Sequence, residues 1–454
     1  MSACPTDSYH VTDKGVVIHD DESCIGCQYC TWACPYGVPV YQADRGIVTK
    51  CDMCHNRLEA GQDPACVQAC PAEAIKIEKV TVGEVLATYM EVGQGPAMPD
   101  PAITIPSTKI TLPVGMNIAD FKKVDQALVH PEQPHSPLIA MTIFTQMAVG
   151  GFIFAFLFDV LQHLTLSAAN PWGKTTVYFS ASMLAVTLVS LLASTLHLGR
   201  PIYAYRAIKC WRTSWLSREV LALGLFAQMA SLYVVFLLLT DGLGWLNSAV
   251  WGASPLRWLL GASTCVSGLI GIYASSRIYR VPARPAWNSV KTTWNFYSTA
   301  LILGPLTVAC ALALSGFLTQ RPAESYRVYL CFSLASCGIV LALKSVLNAY
   351  TLKQRAHRAV DELKATAQLY TQWFYRLRGL RNVLAGSTLI LLFYWLTVRG
   401  AVTSAYDVLF LFGTLAVQVA YSLITRYLFY VTVVPKNIPG NFLIAAQQAA
   451  GAPR

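Results

Sequence analysis

The sequence predicts a chain in two parts: a small α+β head built around cysteines, then an all-α polytopic membrane bundle of about eight transmembrane helices. Three observations predict it. Eight cysteines crowd residues 24–70. Hydrophobic residues make up 54% of the 454-residue chain and charged residues 13%, against about 25% charge in a soluble globular protein. The shortfall begins beyond Pro137, and the residues before it have the composition of an ordinary polar domain.

The head comes first. Cys24, Cys27, Cys30 and Cys34, followed by Pro35, match the iron–sulfur run C-x2-C-x2-C-x3-C-P at every position. In the second set, eleven residues separate the Cys51, Cys54 pair from Cys66, and Pro71 follows Cys70. This spacing wraps thiolates around a metal cluster rather than joining them as disulfides. Cluster assembly requires a reducing compartment while the chain folds. Residues 1–80 therefore read as a ferredoxin-like α+β domain holding one or two 4Fe–4S clusters. By ferredoxin logic the sets exchange fourth ligands. Cys24, Cys27 and Cys30 then take Cys70, and Cys51, Cys54 and Cys66 take Cys34. A zinc site is the alternative, favoured by the Cys51-x2-Cys54 pair. Residues 14–18 read as a short strand before the first cysteine loop, and 74–77 as a closing strand after the second.

Residues 81–135, rich in Pro, Gly and Thr, read as an extended linker with one weak helical stretch near 119–127. The membrane domain occupies 136–435. Spans of about 20 apolar residues fall at 138–164, 176–199, 217–240, 255–279, 294–318, 326–352, 380–398 and 406–434. The seventh is short and carries Arg381 in its first turn. The tail, 436–454, holds only Phe442, Leu443 and Ile444 as an apolar patch. The N-terminus has neither a basic n-region nor an apolar h-region, so neither a signal peptide nor a twin-arginine leader is expected there.

The net charge of +10 is split. Residues 1–135 hold nine Lys and Arg against 17 Asp and Glu, and the rest hold 25 against seven. The positive excess lies in membrane loops, which argues for orientation rather than nucleic acid binding. An even span count puts the loops after spans two, four and six on the head's side, and these are the basic loops: Arg200, Arg206, Lys209, Arg212 and Arg218, then Arg277, Arg280, Arg284 and Lys291, then the residues from Lys353 to Arg378. The positive-inside rule makes the head cytoplasmic, on a bacterial or archaeal inner membrane. The alternatives are a periplasmic head, or basic loops that face the acidic head or an acidic partner.

The head resembles the second half of the four-cluster iron–sulfur subunit of the DMSO reductase family. Residues 24–37, ending Cys34-Pro35-Tyr36-Gly37, and Lys50-Cys51-Asp52-Met53-Cys54 carry the likeness. The membrane domain resembles the same family's anchor subunit, through Leu196-His197-Leu198-Gly199-Arg200-Pro201, Ser214-Trp215-Leu216-Ser217-Arg218-Glu219 and Arg426-Tyr427-Leu428-Phe429-Tyr430. The chain is then a fusion of two usually separate subunits. The resemblance implies that Cys4, with Pro5 behind it, completes the set of Cys24, Cys27 and Cys30. It also implies that Cys34, Cys51, Cys54, Cys66 and Cys70 ligate clusters whose other cysteines are missing from this sequence, and the expectation drawn from that is an N-terminally truncated chain, with two further cysteine sets encoded in frame ahead of Met1.

No haem is expected. His163 and His197 are read as the histidines at span ends, and parity puts them on opposite sides. Quinol, dissolved in the bilayer, is the expected carrier, and its oxidation needs a base. His197 ends span two and Glu219 begins span three, both on the head's side. They are the candidates for accepting protons, with Arg200 and Arg218 positioning or neutralising them. Asp159 and Asp407 lie toward the far side, on a proton path or as paired interfacial groups; Lys344 and Asn348 lie toward the head. Cys210, Cys265, Cys310, Cys331 and Cys337 read as small core residues.

The resulting expectation is an electron-transfer and anchor subunit of a membrane-bound molybdopterin oxidoreductase. It would take electrons from the quinone pool and pass them to a separate pterin-bearing subunit in anaerobic respiration. One rival runs the same wiring backwards, from a dehydrogenase into quinone. Another is an ion-translocating module with a regulatory cluster domain, against which the sequence offers a midplane almost free of charge and no clear repeat.

Overall fold

The computed structural model describes residues 1–92, 99–109, 111, 114–115, 129–164, 173–252, 254–320, 322, 324–357, 361–399, 402 and 404–436. In the head, Tyr9–Val11 (β1) pairs antiparallel with Val17–His19 (β2). After Tyr29–Ala33 (α1), Val40–Gln42 (β3) pairs antiparallel with Ile47–Thr49 (β4). Two further short helices, His55–Glu59 (α2) and Ala65–Gln68 (α3), follow.

Two strand expectations need correction. The strand expected at 14–18 starts only at Val17, because Gly15, at φ 78°, forms the turn of the hairpin and donates its N–H to the Thr12 carbonyl. The strand expected at 74–77 is absent. Ile75 and Ile77 are exposed there, and no neighbouring strand edge offers them a ladder.

The linker is less extended than expected. It carries the helix Val82–Val92 (α4) and the single turn Pro101–Thr104 (α5). A reciprocal cap starts α4: Thr81 N–H donates to Glu84 Oε2 at 2.7 Å, and Glu84 N–H to Thr81 Oγ1 at 3.2 Å. The expected helix near 119–127, the apolar patch of the tail, and Arg358 of the third basic loop lie outside the described residues.

Among the described residues, eight helices are long and apolar enough to cross a membrane. They are Ser136–Leu164 (α6), Gly173–Ser194 (α7), Trp215–Leu237 (α8), Pro255–Ile278 (α10), Val290–Leu318 (α11), Glu324–His357 (α12), Tyr375–Tyr394 (α14) and Ala405–Val431 (α15). Short helices Ser248–Trp251 (α9) and Asp361–Gln368 (α13) sit between them. A tight turn, Thr195–His197, extends α7, and wide turns, Leu238–Gly242 and Trp395–Arg399, extend α8 and α14.

Helices α6 and α11 are the central pair, with 83% and 67% of their apolar windows buried, against 28% for α7 and α14. They cross at Gly150 and Gly304. A Cβ at Gly150 would run into the Ala300 carbonyl, and one at Gly304 into the Gly150 backbone. With lipid as apolar as leucine, such close backbone approach supplies the packing that joins helices in a membrane.

At the end of the bundle away from the head, Arg257 of α10 donates to both oxygens of Asp159 at 2.8 Å, and to Asp241 at 2.8 Å. All three come from different helices, and the Arg257 and Asp159 side chains are each 4% exposed. Asp407 closes a capping box with Ser404 and lies 3.5 Å from Arg399. Both far-side aspartates thus have structural partners. Replacing Asp159 with alanine leaves part of a buried guanidinium unpaired, a loss of about 3–5 kcal/mol. Thermal unfolding of the detergent-solubilised protein should show it as a markedly lower midpoint; an unchanged midpoint would mean the pair is not structural.

Candidate functional site

The first cysteine loop turns on Gly26 and Gln28, both at positive φ, and this winding turns three sulfurs inward. Cys24, Cys27 and Cys30 line one cavity together with Cys4, walled by Thr6, Tyr9, Ile25 and Val48. Cys4 Sγ accepts the Ser8 N–H at 3.3 Å. Cys4, Cys24 and Cys27 are buried. Burial pushes the Cys24 and Cys27 thiols up, Cys27 far up, and takes Cys30 to about 11. Iron binding displaces such protons.

The donor set fits a 4Fe–4S cluster: four cysteines line one small shared cavity. Among the described residues no group of three His, Cys, Asp or Glu closes tightly enough for a single ion. Cys70, the ferredoxin-logic partner, is not part of this lining. Its sulfur accepts the Ala74 N–H at 3.3 Å, and backbone donors, Ala74 first, lower its thiol from the usual range.

The other five cysteines of the cysteine sets do not line this cavity. Cys51 and Cys66 are exposed, and Cys34, Cys54 and Cys70 are half-buried.

The head docks on the membrane domain through the first cysteine loop. The Gly199 and Arg200 N–H groups donate to the Gly26 and Ile25 carbonyls. A Cβ at Gly26, Gly46 or Gly199 would strike the facing backbone. The Cys210 N–H donates to the Pro5 carbonyl at 3.1 Å, and the Ser214 hydroxyl to the Ala3 carbonyl at 2.8 Å. Trp32 inserts between His135, Tyr279 and Trp287, with ring centroids 5.0, 5.9 and 5.8 Å away. Gly199→Val should release the head without unfolding the bundle. Limited proteolysis would then cut between the two parts; protection equal to wild type would show that the glycine contact does not hold them.

His197 lies at this junction. Its Nδ1 hydrogen-bonds the Ser194 carbonyl, which can only accept. Nδ1 therefore carries the proton, and Nε2 keeps its lone pair as a base. Glu219 is buried near Ser275, within electrostatic reach of Tyr29, Tyr279 and Tyr430. Tyr29, one residue before Cys30, is thus within electrostatic reach of both Cys27 and Glu219; burial raises its hydroxyl above the usual range.

The arginines need correction. Arg200 donates to the Asp21 carbonyl of the head at 2.8 Å. Arg218 donates to the Trp211 and Arg212 carbonyls and lies over Trp215. Among the described residues no hydrogen bond or ion pair joins either to His197 or Glu219, and backbone carbonyls take their donors. Among the described residues no hydrogen bond or ion pair joins His197 to Glu219.

Sequence reasoning missed His135, Tyr29 and Trp32. His135 immediately precedes α6 and so shares the head's side with His197, which makes the reading of only two span-end histidines incomplete. Burial lowers its pKa, keeping it neutral near pH 7. His163 sits at the other end, against Trp258. A histidine directly before an apolar run was the available signal for His135. For the two aromatics, their place inside the cysteine run masked a docking role.

Residues 1–80 match the 4Fe-4S dicluster domain family, and residues 130–431 match the DMSO reductase anchor subunit (DmsC) family. The head is 51% identical over 72 residues to the B subunit of the anaerobic dimethyl sulfoxide reductase of Haemophilus influenzae, covering 16% of this protein and 35% of that subunit. It is 41% identical over 86 residues to the thiosulfate reductase electron transfer subunit PhsB of Salmonella typhi, covering 19% and 45%. The membrane part is 26% identical over 234 residues to the C subunit of the anaerobic dimethyl sulfoxide reductase of Haemophilus influenzae, covering 50% and 75%. The chain thus spans less than half the length of these relatives of its head. The anchor match runs through well over half of the sequence, and the chain belongs to the DMSO reductase anchor subunit (DmsC) family, with a 4Fe-4S dicluster domain at its N-terminal end.

Proposed function

We propose that this chain is the electron-transfer and anchor subunit of a membrane-bound molybdopterin oxidoreductase, and that quinol is oxidised where the head meets the membrane domain. The observation that carries the reading is the direct seating of the four-cysteine cavity on the span ends that bear His197 and Glu219. The first cysteine loop bonds to Gly199 and Arg200, two and three residues beyond His197.

His197 Nε2 takes one quinol hydroxyl proton, and Glu219 takes the second. Quinol loses two protons and two electrons and leaves as quinone. Trp32, Tyr279 and Trp287 pack the junction against water. Cys4, Cys24, Cys27 and Cys30 would hold a 4Fe–4S cluster, which supplies a one-electron carrier beside that site.

The head corresponds, in this reading, to the C-terminal half of the longer iron–sulfur subunits. The pterin-bearing partner covers the second cysteine set. Cys51 and Cys66 are exposed there, and Ile75, Ile77, Val80 and Val82 offer it an apolar surface. Purified with that partner, the protein should couple quinol oxidation to acceptor reduction. Alone it should oxidise quinol only when an artificial acceptor is present; quinol oxidation by the catalytic partner without this chain would refute the assignment.

The head faces the cytoplasm in this reading. Arg200, Arg206 and Lys209 contact head groups, so their charge also serves docking. The support therefore comes from the third basic loop, residues 353–378. A fluorescent protein fused after residue 454 should mature and fluoresce; a dark fusion with active alkaline phosphatase at the same point would place the head outside.

A further inference from the structure

We infer that the head-side ends of α11, α12, α14 and α15 enclose a binding site for a phosphate-bearing anion, either a lipid headgroup or free phosphate. A cavity of about 680 Å³ lies there. Lys291, Lys344, Arg378, Arg381 and Arg426 line it, and no carboxylate does among the described residues. It is separate from the His197 junction and does not depend on the proposed function.

Three of these cations are deeply buried: Lys344 is 2% exposed, Arg426 5% and Arg381 8%. Their hydrogen-bond partners are neutral. Lys344 Nζ donates to Thr299 Oγ1 at 3.3 Å and to the Asn295 carbonyl at 3.5 Å. Arg426 donates to Gln146 Oε1 at 2.8 Å. Arg381 donates to Asn382 Oδ1 at 2.7 Å and to the Tyr370 hydroxyl. No described ion pair joins any of the three to a carboxylate.

Like charges held together in a low-dielectric bundle repel and have lost their water, so the cost is high unless an anion offsets it. Among the described residues the chain supplies none at the cavity, and the inference takes it from outside. A neutral quinone would leave the charges unopposed. Phosphate oxygens accept several charge-assisted hydrogen bonds at once, from guanidinium and ammonium groups together. The Ser345 and Thr425 hydroxyls add neutral polar groups to the lining, and Asn295 Oδ1 is buried there without a partner. Ala385 and Leu389 give the same cavity an apolar wall. The site opens at the head-side ends of these membrane helices, where Lys291 stands in the first turn of α11, and reaches inward to Lys344 of α12; basic pockets between helices hold lipid headgroups in this way.

The test uses the whole complex in neutral detergent and phosphate-free buffer, melted with phosphatidylglycerol, phosphatidylcholine or inorganic phosphate. Phosphatidylglycerol should raise the midpoint by about 3 °C or more beyond phosphatidylcholine, saturably. The same rise with inorganic phosphate assigns the site to the free ion, and a rise with the lipid alone assigns it to a headgroup. Lys344→Met and Arg381→Gln should remove the response. Without ligand, Lys344→Met should melt no lower than wild type, since it relieves repulsion. Equal effects of phosphatidylglycerol and phosphatidylcholine, no effect of any ligand, or an intact response in Arg381→Gln would each overturn the proposal. If the variants do not accumulate, phosphorus analysis of extensively washed wild-type protein decides: about one phosphate per chain supports the site, and none overturns it.

Discussion

His197→Gln lowers quinol-dependent turnover by about 10²–10⁴-fold, the range expected when a positioned base is lost. Iron and sulfide content should stay at the wild-type level, because His197 does not line the cysteine cavity. The tautomer decides this outcome. The Ser194 carbonyl fixes the proton on Nδ1, so Nε2 is the free acceptor at the junction. Glutamine keeps much of the shape and hydrogen bonding but cannot take a proton near neutral pH. Turnover within a factor of two of wild type, measured with a reduced quinol and an artificial acceptor, would remove His197 from the site. Glu219→Gln should have a smaller effect if Glu219 takes the second proton.

Cys4→Ser should remove the cluster nearest the membrane and with it all quinol-linked electron transfer. Cys70→Ser should leave that cluster in place. The two variants separate ligand schemes that spacing alone leaves open, exchange within residues 24–70 or completion by Cys4. The cavity holds Cys4 beside Cys24, Cys27 and Cys30, and Cys70 lies elsewhere. Iron analysis and low-temperature paramagnetic resonance read both. Loss of the quinol-reducible signal in Cys70→Ser, with Cys4→Ser unaffected, would reverse the ligand assignment.

Much of this architecture is legible in the chain because the signals are long or rigidly spaced. An apolar run of membrane length has few alternatives, so all eight spans fall where expected, with ends shifted by a few residues. The seventh starts at Tyr375 rather than near 380, because Arg381 is buried and hydrogen-bonded to Tyr370 and Asn382 rather than exposed at a helix end. The cysteine run is equally plain, since a cluster tolerates little variation in spacing.

Short-range readings fared less well. The 74–77 alternation looks like a strand, but a strand forms only against a partner edge. The helix at Val82–Val92 did have a signal, Thr81 and Glu84 three residues apart, which the surrounding Pro and Gly obscured. Arg200 and Arg218 looked like partners of His197 and Glu219 because they are neighbours in sequence. Their guanidinium groups instead reach backbone carbonyls, that of Asp21 in the head for Arg200 and those of the preceding loop for Arg218. The basic cavity was hidden for a related reason. Lys291, Lys344, Arg381 and Arg426 are spread over 135 residues and four helices, and only packing brings them together.

The central claim is that thiolates of the head hold iron against the membrane surface where quinol gives up electrons. Paramagnetic resonance of anaerobic membranes carrying the complex tests it most directly, with the sample oxidised and then treated with reduced quinol. The account predicts a reduced 4Fe–4S signal that appears on quinol addition and is missing in both His197→Gln and Cys4→Ser. A sample that gives a full cluster signal with dithionite but none with quinol would contradict it.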